Sequence, residues 1–172
     1  IDRNPQAMET AHDNWLTNLL PCDAYRLSVP LHCSPEALRD SLQDLEDGFY
    51  YVKLPTDAMV QLQELQLYGF RVIDVNVTLE REPFSEEGGN HPNCQIGEFN
   101  KEHPDCIAEI AESCFVYSRF HLDPRISNEV ANGIKREWVE NCMSGARGDR
   151  LWVAQWDGKT VAFLAEMNLQ QN

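Results

Sequence analysis

Apolar residues recur along this chain at spacings that name the elements they belong to. Between Ala24 and Leu31 they alternate loosely, as in a half-buried strand. Ser34 and Pro35 then supply an N-cap and a first helical residue. Leu38, Leu42 and Leu45 follow at helical spacing, so 35–46 is predicted as a helix. Phe49 to Val52 is a short run of strand-forming residues. Thr56 is the expected cap of a second helix, with Met59, Val60 and Leu67 facing inward and Gly69 as a left-handed stop. The clearest alternation comes next: Ile73, Val75, Val77 and Leu79 share one face, Asp74, Asn76, Thr78 and Glu80 the other. Upstream of all this, Trp15, Leu16, Leu19 and Leu20 suggest a short amphipathic helix. Residues 1–82 are therefore expected to form a small α/β domain of order βαβαβ.

Pro83, Glu86, Glu87, Gly88, Gly89 and Asn90 cannot build a core, which makes 83–94 a linker. A weak strand near Gln95–Phe99 follows. A helix opens at Asp105, with Ile107, Ile110, Ala111, Cys114 and Phe115 on one side. After the loop 118–124, Val130, Ile134, Trp138, Val139 and Cys142 mark a second helix that Gly145 and Gly148 stop. Leu151–Trp156 and Val161–Met167 flank Asp157-Gly158, a strong hairpin signal. The fold class expected is α/β, mixed α+β, with a second part over 95–172 in the order β-α-α-β-β.

Composition narrows the function. No apolar run reaches the roughly 18 residues of a membrane span, and no amino-terminal apolar leader is present, so no membrane partner and a cytoplasmic location are expected. The net charge of −14 argues against nucleic acid. That charge is unevenly spread. Residues 1–118 carry 7 basic and 21 acidic side chains, whereas 119–172 carry 7 of each. An anionic ligand is therefore expected near Arg119, Arg125, Lys135, Arg136, Arg147 or Arg150. The 6 cysteines contain no CxxC and read as reduced thiols, with Cys106, Cys114 and Cys142 packed as small apolar residues on helix faces.

Several short motifs carry a family likeness. They are Phe115-Val116-Tyr117-Ser118-Arg119-Phe120 at the end of a helix, the charged helix with Trp138, and the hairpin from Leu151 to Leu164. With them, 95–172 resembles the amino-terminal half of a GCN5-related N-acetyltransferase. Leu65-Gln66-Leu67-Tyr68-Gly69-Phe70, leading into the alternating segment, is similar to the extra domain of the dTDP-fucosamine acetyltransferase group, which acetylates a nucleotide-linked amino sugar. The likeness covers roughly 22–168. It implies an acetyl-CoA-dependent transfer to a small-molecule amine acceptor, with Ser118, Arg119, Phe120 and His121 as part of the acceptor wall.

The family's cofactor turn, a Gly-rich loop offering backbone N–H groups to a pyrophosphate at a helix start, has no counterpart here. Acetyl-CoA is thus expected for the parent protein, no cofactor is expected to bind this chain tightly, and the chain is expected to be a truncated and inactive piece. No catalytic residue is carried over. The alternative is a non-catalytic binding module that has lost the cofactor half. In the truncated reading, the strand Val161–Met167 should expose an unpaired edge, and a homodimer through such edges is expected.

Acyl transfer to an amine needs a base, an oxyanion partner and a proton for the leaving thiolate. His121 and Glu166 are the candidate bases, and Arg119 the candidate partner of an acceptor phosphate, set against a plain ion pair with Glu112. One further pattern, His91-Pro92-Asn93-Cys94 and His103-Pro104-Asp105-Cys106, spaces His and Cys as structural zinc sites do. Against a metal, the order is not a common zinc-ribbon one, Cys106 falls at a helix start with its side chain toward the core, and Pro after His is an ordinary turn device, so no metal is expected.

Overall fold

Two units, Ile1–Ile73 and Asp74–Asn172, make up the computed structural model, which describes residues 7–80, 82, 91–101 and 104–167. The α/β class is what it shows. In the first unit, β1 (Glu9–His12) and α1 (Asn14–Thr17) precede β2 (Ala24–Ser28), α2 (Pro35–Gln43), β3 (Phe49–Val52) and α3 (Met59–Leu67). The sheet order is β1-β2-β3, antiparallel then parallel. β1 has no apolar periodicity, being exposed throughout, and so left no sequence signal.

Ser34 caps α2 as expected, accepting a bond from Ala37 N at 3.2 Å, with Pro35 at the first helical position. Leu38 and Leu42 bury against Leu27, Cys33 and Leu65. Gly69 (φ +85°) closes α3 in the expected left-handed conformation. Gly69 N bonds Gln66 O and Phe70 N bonds Leu65 O, both at 3.1 Å, and Phe70 packs beside Leu65: a complete Schellman stop.

The face of α3 differs from the expected one. The helix starts after Ala58, not at a Thr56 cap, because the preceding residues are turned, with Ala58 N bonded to Pro55 O. Met59, Val60 and Leu67 are exposed, while Gln61, Glu64 and Leu65 are buried. The two polar residues are paired. Gln61 Nε2 donates to Leu31 O at 2.9 Å, and Glu64 accepts both Arg39 Nε (2.6 Å) and Nη2 (2.7 Å). A second expectation also fails. Segment 73–80 joins no ladder, and Val75, Val77 and Leu79 are exposed. Alternation marks which side chains share a face, but it does not supply a neighbouring strand.

The second unit holds β4 (Cys94–Glu98), α4 (Pro104–Cys114), α5 (Arg119–Leu122), α6 (Asn128–Ser144), β5 (Arg150–Trp156) and β6 (Lys159–Glu166). Its sheet is antiparallel in the order β4-β5-β6. Asp157 and Gly158 both take positive φ (49° and 75°), the type I′ turn that suits a twisted hairpin. Ile107, Ala108 and Ala111 of α4 and Val139 of α6 pack on Leu151, with Phe163 and Ala165 beside them. The helices therefore cover the odd-numbered face of β5 and β6. On the other face, Ile96 and Leu164 stay 73% and 65% exposed. Of the cysteines expected to be packed, Cys106 and Cys114 are exposed and Cys142 is half-buried; Cys33, not singled out from sequence, is the buried one. Cys106 points away from the face that holds Ala108 and Ala111, and Cys114 is the last residue of α4, beyond the turn that is buried.

Candidate functional site

The carboxy-terminal end of α4, the short α5 and the middle of α6 meet around the loop that sequence marked. Buried Asp123 shapes that loop, accepting Arg125 N (3.0 Å), Nε (2.9 Å) and Nη2 (2.7 Å). The bond to Asp123 raises the Arg125 pKa above its ordinary value. Ser127 then caps α6 through Val130 N at 3.3 Å.

Ser118 and His121 touch, with Oγ and Nδ1 2.7 Å apart. His121 Nε2 lies 2.8 Å from the side-chain amide of Asn132 on α6. The same amide end faces the carbonyls of Glu112 (3.1 Å) and Asn128 (3.3 Å), so the network assigns it as the NH2. It donates to Nε2, which leaves Nδ1 as the protonated nitrogen, donating to Ser118 Oγ. Both ring nitrogens of His121 are thus engaged within the protein, tying α5 to α6.

Lys135 lies one turn beyond Asn132 on the same side of α6. Its Nζ sits 4.5 Å from the ring centroid of Phe115 and 5.8 Å from those of Phe120 and Trp138. Arg119 Cζ lies 4.7 Å from the centroid of the same Phe120, which is buried. Phe115, Trp138 and Phe163 stack edge-on or tilted at 6.3–6.4 Å, continuing this aromatic floor onto β6. Burial lowers the Lys135 pKa below its ordinary value, and the guanidinium groups of Arg119 and Arg147 push it the same way; Cys114 opposes them.

The six cations expected to draw an anion now separate. Arg125 is spent on Asp123. Arg136 pairs with Glu112 at 2.9 Å and Glu140 at 3.1 Å. Glu112 is therefore the partner of Arg136. Arg150 stands opposite Glu166 in the hairpin register. Among the described residues no carboxylate lies within ion-pair distance of Lys135. Ser118, Arg119, Phe120 and His121 do gather in one place; Lys135 joins them, and Asn132 and the aromatic floor complete the cluster. Sequence carried no sign of Asn132, whose partner is 11 positions away.

Glu166 does not join this cluster. It shares the outward face with Trp152, whose Nε1 donates to Glu166 Oε2 at 3.0 Å. In the paired His/Cys pattern, His91 Nδ1 accepts from Asn93 N at 3.3 Å and the ring leans on Trp156. Cys106 is exposed, and His103 lies outside the described residues. Among the described residues no group of three or more His, Cys, Asp or Glu side chains is arranged to hold a metal. No described helix is long and apolar enough to cross a membrane.

No family model matches the chain. It is 24% identical over 119 residues to the spore coat polysaccharide biosynthesis protein SpsD of Bacillus subtilis (strain 168). That match takes in 69% of this chain and 41% of the relative, so the chain spans about two fifths of the length of the curated relative it resembles.

Proposed function

We propose that this chain belongs to a sugar-related biosynthetic enzyme, and that its step is the acetyl-CoA-dependent N-acetylation of a nucleotide-linked amino sugar. The observation that carries this reading is the likeness to a polysaccharide biosynthesis protein over 119 residues. The order of the second unit, β4-α4-α5-α6-β5-β6, which adds the four-residue α5 to the expected β-α-α-β-β, and the clustering of Ser118, Arg119, Phe120 and His121 support it.

Acetyl-CoA supplies an activated acyl group when bound. Among the described residues no helix opens on a glycine-rich turn of the kind the resemblance would require for its pyrophosphate. No donor-side role is therefore assigned to residues of this chain. Its contribution is the acceptor side: an aromatic floor that excludes water, cations for an acceptor's phosphates, and a helix pair locked through His121 and Asn132.

The test is thiol release from acetyl-CoA by the gene product that carries this sequence. We expect release with a nucleotide-linked amino sugar and none with its hydroxyl analogue. Absence of release with every amino-sugar nucleotide tried, while the nucleotide still binds, would overturn the acetylation step. It would favour instead a binding module, the reading that the exposed Ile96 and Leu164 face supports.

A further inference from the structure

The chain has four lysines, Lys53, Lys101, Lys135 and Lys159. Lys53, Lys101 and Lys159 are exposed, and water solvates their ammonium groups; Lys135 is half-buried in the middle of α6. Its Nζ lies 4.5 Å from the Phe115 ring centroid and 5.8 Å from those of Phe120 and Trp138. Among the described residues no carbonyl, hydroxyl or carboxylate oxygen accepts a hydrogen bond from it.

Two effects oppose each other at Nζ. Ring faces attract a cation, which favours the ammonium. They provide no oxygen, however, so each N–H turned toward them has left water without a full replacement. Burial wins: it is the first cause holding the Lys135 pKa below its ordinary value. The guanidinium charges of Arg119 and Arg147 act in the same direction, and Cys114 acts against them. Desolvation of a lysine on an apolar surface is one of the ways in which proteins make an amine nucleophilic.

We propose that Lys135 is a covalent modification site, an amine that takes the acyl group of an acyl thioester. The free amine attacks the thioester carbonyl. A C–N bond forms, the C–S bond breaks with its electron pair leaving on sulfur, and the proton shed by nitrogen passes through water to the thiolate. Two features select acylation over imine formation with an aldehyde. A protonated imine keeps its charge beside the rings, whereas an amide is neutral and removes it. The acyl group also adds apolar surface for the three rings to cover. The site itself needs only the surroundings of Lys135. Its consequence, the loss of one acceptor-side cation, rests on the functional reading above.

Brief incubation of the chain with S-acetyl-N-acetylcysteamine, a thioester that carries no nucleotide, tests the site. Peptide mass spectrometry then compares all four lysines in one sample. We expect Lys135 to be acetylated several-fold faster than Lys53, Lys101 and Lys159 at neutral pH. That lead should shrink as pH climbs toward 10.5, the ordinary lysine value, where the exposed amines also lose their protons. Unfolding in urea should abolish the lead. Equal or slower labelling of Lys135 in the folded chain would overturn the inference, and so would a lead that survives unfolding, since it would then belong to the local sequence and not to the rings. A second arm with acetyl-CoA separates this site from the functional reading. Label on Lys135 with no transfer to any amino-sugar nucleotide would sink the acetylation reading alone. Transfer to such a nucleotide with no preference for Lys135 from either thioester would sink the modification site alone.

Discussion

Arg39 and Lys135 are both cations lying partly over apolar surface, and they differ in what faces them. Arg39 reaches across from α2 to α3 and closes a fork on Glu64, whose side chain is 11% exposed. Lys135 reaches the rings of Phe115, Phe120 and Trp138. In the first unit the charge is satisfied by the fold and serves architecture. In the second the ammonium lies over aromatic rings, with no carboxylate within ion-pair distance among the described residues. A matched fork raises the Arg39 pKa and lowers that of Glu64, both through their shared hydrogen bond. The unmatched ammonium moves the opposite way from Arg39, first through burial. The direction of the shift thus separates a structural cation from a candidate binding one, given that the geometry already does.

The largest effect expected on the structural side comes from Leu65, which is 1% exposed and underlies both the α2–α3 packing and the Phe70 stop. Leu65→Ala should lower the free energy of unfolding by about 2–5 kcal/mol. Urea denaturation measures it, and hydrogen exchange locates the loss in α2 and α3. A variant of unchanged stability would show that α3 is not anchored there, and the clamp above it would lose its architectural meaning. The next effect is that of Glu64→Gln, which should lower the midpoint of thermal unfolding by removing the fork to Arg39. An unchanged midpoint would show that the fork does not serve the fold and would erase the contrast between the two cations.

Local features of the chain were legible because their cause is local. Ser34-Pro35, Gly69 and Asp157-Gly158 act within a few residues, through a cap, a left-handed stop and a tight turn. Long-range facts were not. Arg39 and Glu64 are 25 positions apart, and nothing in either neighbourhood names the other. Without that pair the inward face of α3 is misplaced, since Glu64 and Gln61 look like solvent positions. Segment 73–80 fails for the related reason that a ladder needs a partner. The charge asymmetry of the chain singled out six cations in its carboxy-terminal third. Which of them were neutralised depended on Asp123, Glu112 and Glu140 arriving beside Arg125 and Arg136, and only the fold decides that. Ser118, Arg119, Phe120 and His121 lie together because they are consecutive; Asn132 and Lys135 join them from a different helix.

The smallest effect, and the most discriminating, is the pH dependence of stability. Glu64 is held below its ordinary value near 4.5, so it stabilises the fold above that pH. Its contribution is lost as pH falls through the lower folded value. Glu64→Gln should flatten that part of the acid slope. Lys135 is held below its ordinary 10.5. At neutral pH the ammonium is charged whether the chain is folded or not, and the folded state bears the penalty. As pH climbs through the lowered value, the folded state releases its proton first, so the unfolded state binds more protons and stability rises. Lys135→Met should therefore be more stable than wild type at neutral pH, and that advantage should shrink in the alkaline range just below 10.5. Urea midpoints of both proteins across pH give the answer. A constant difference between them would mean that Lys135 is as well matched as Arg39, and the two cations would no longer differ in kind.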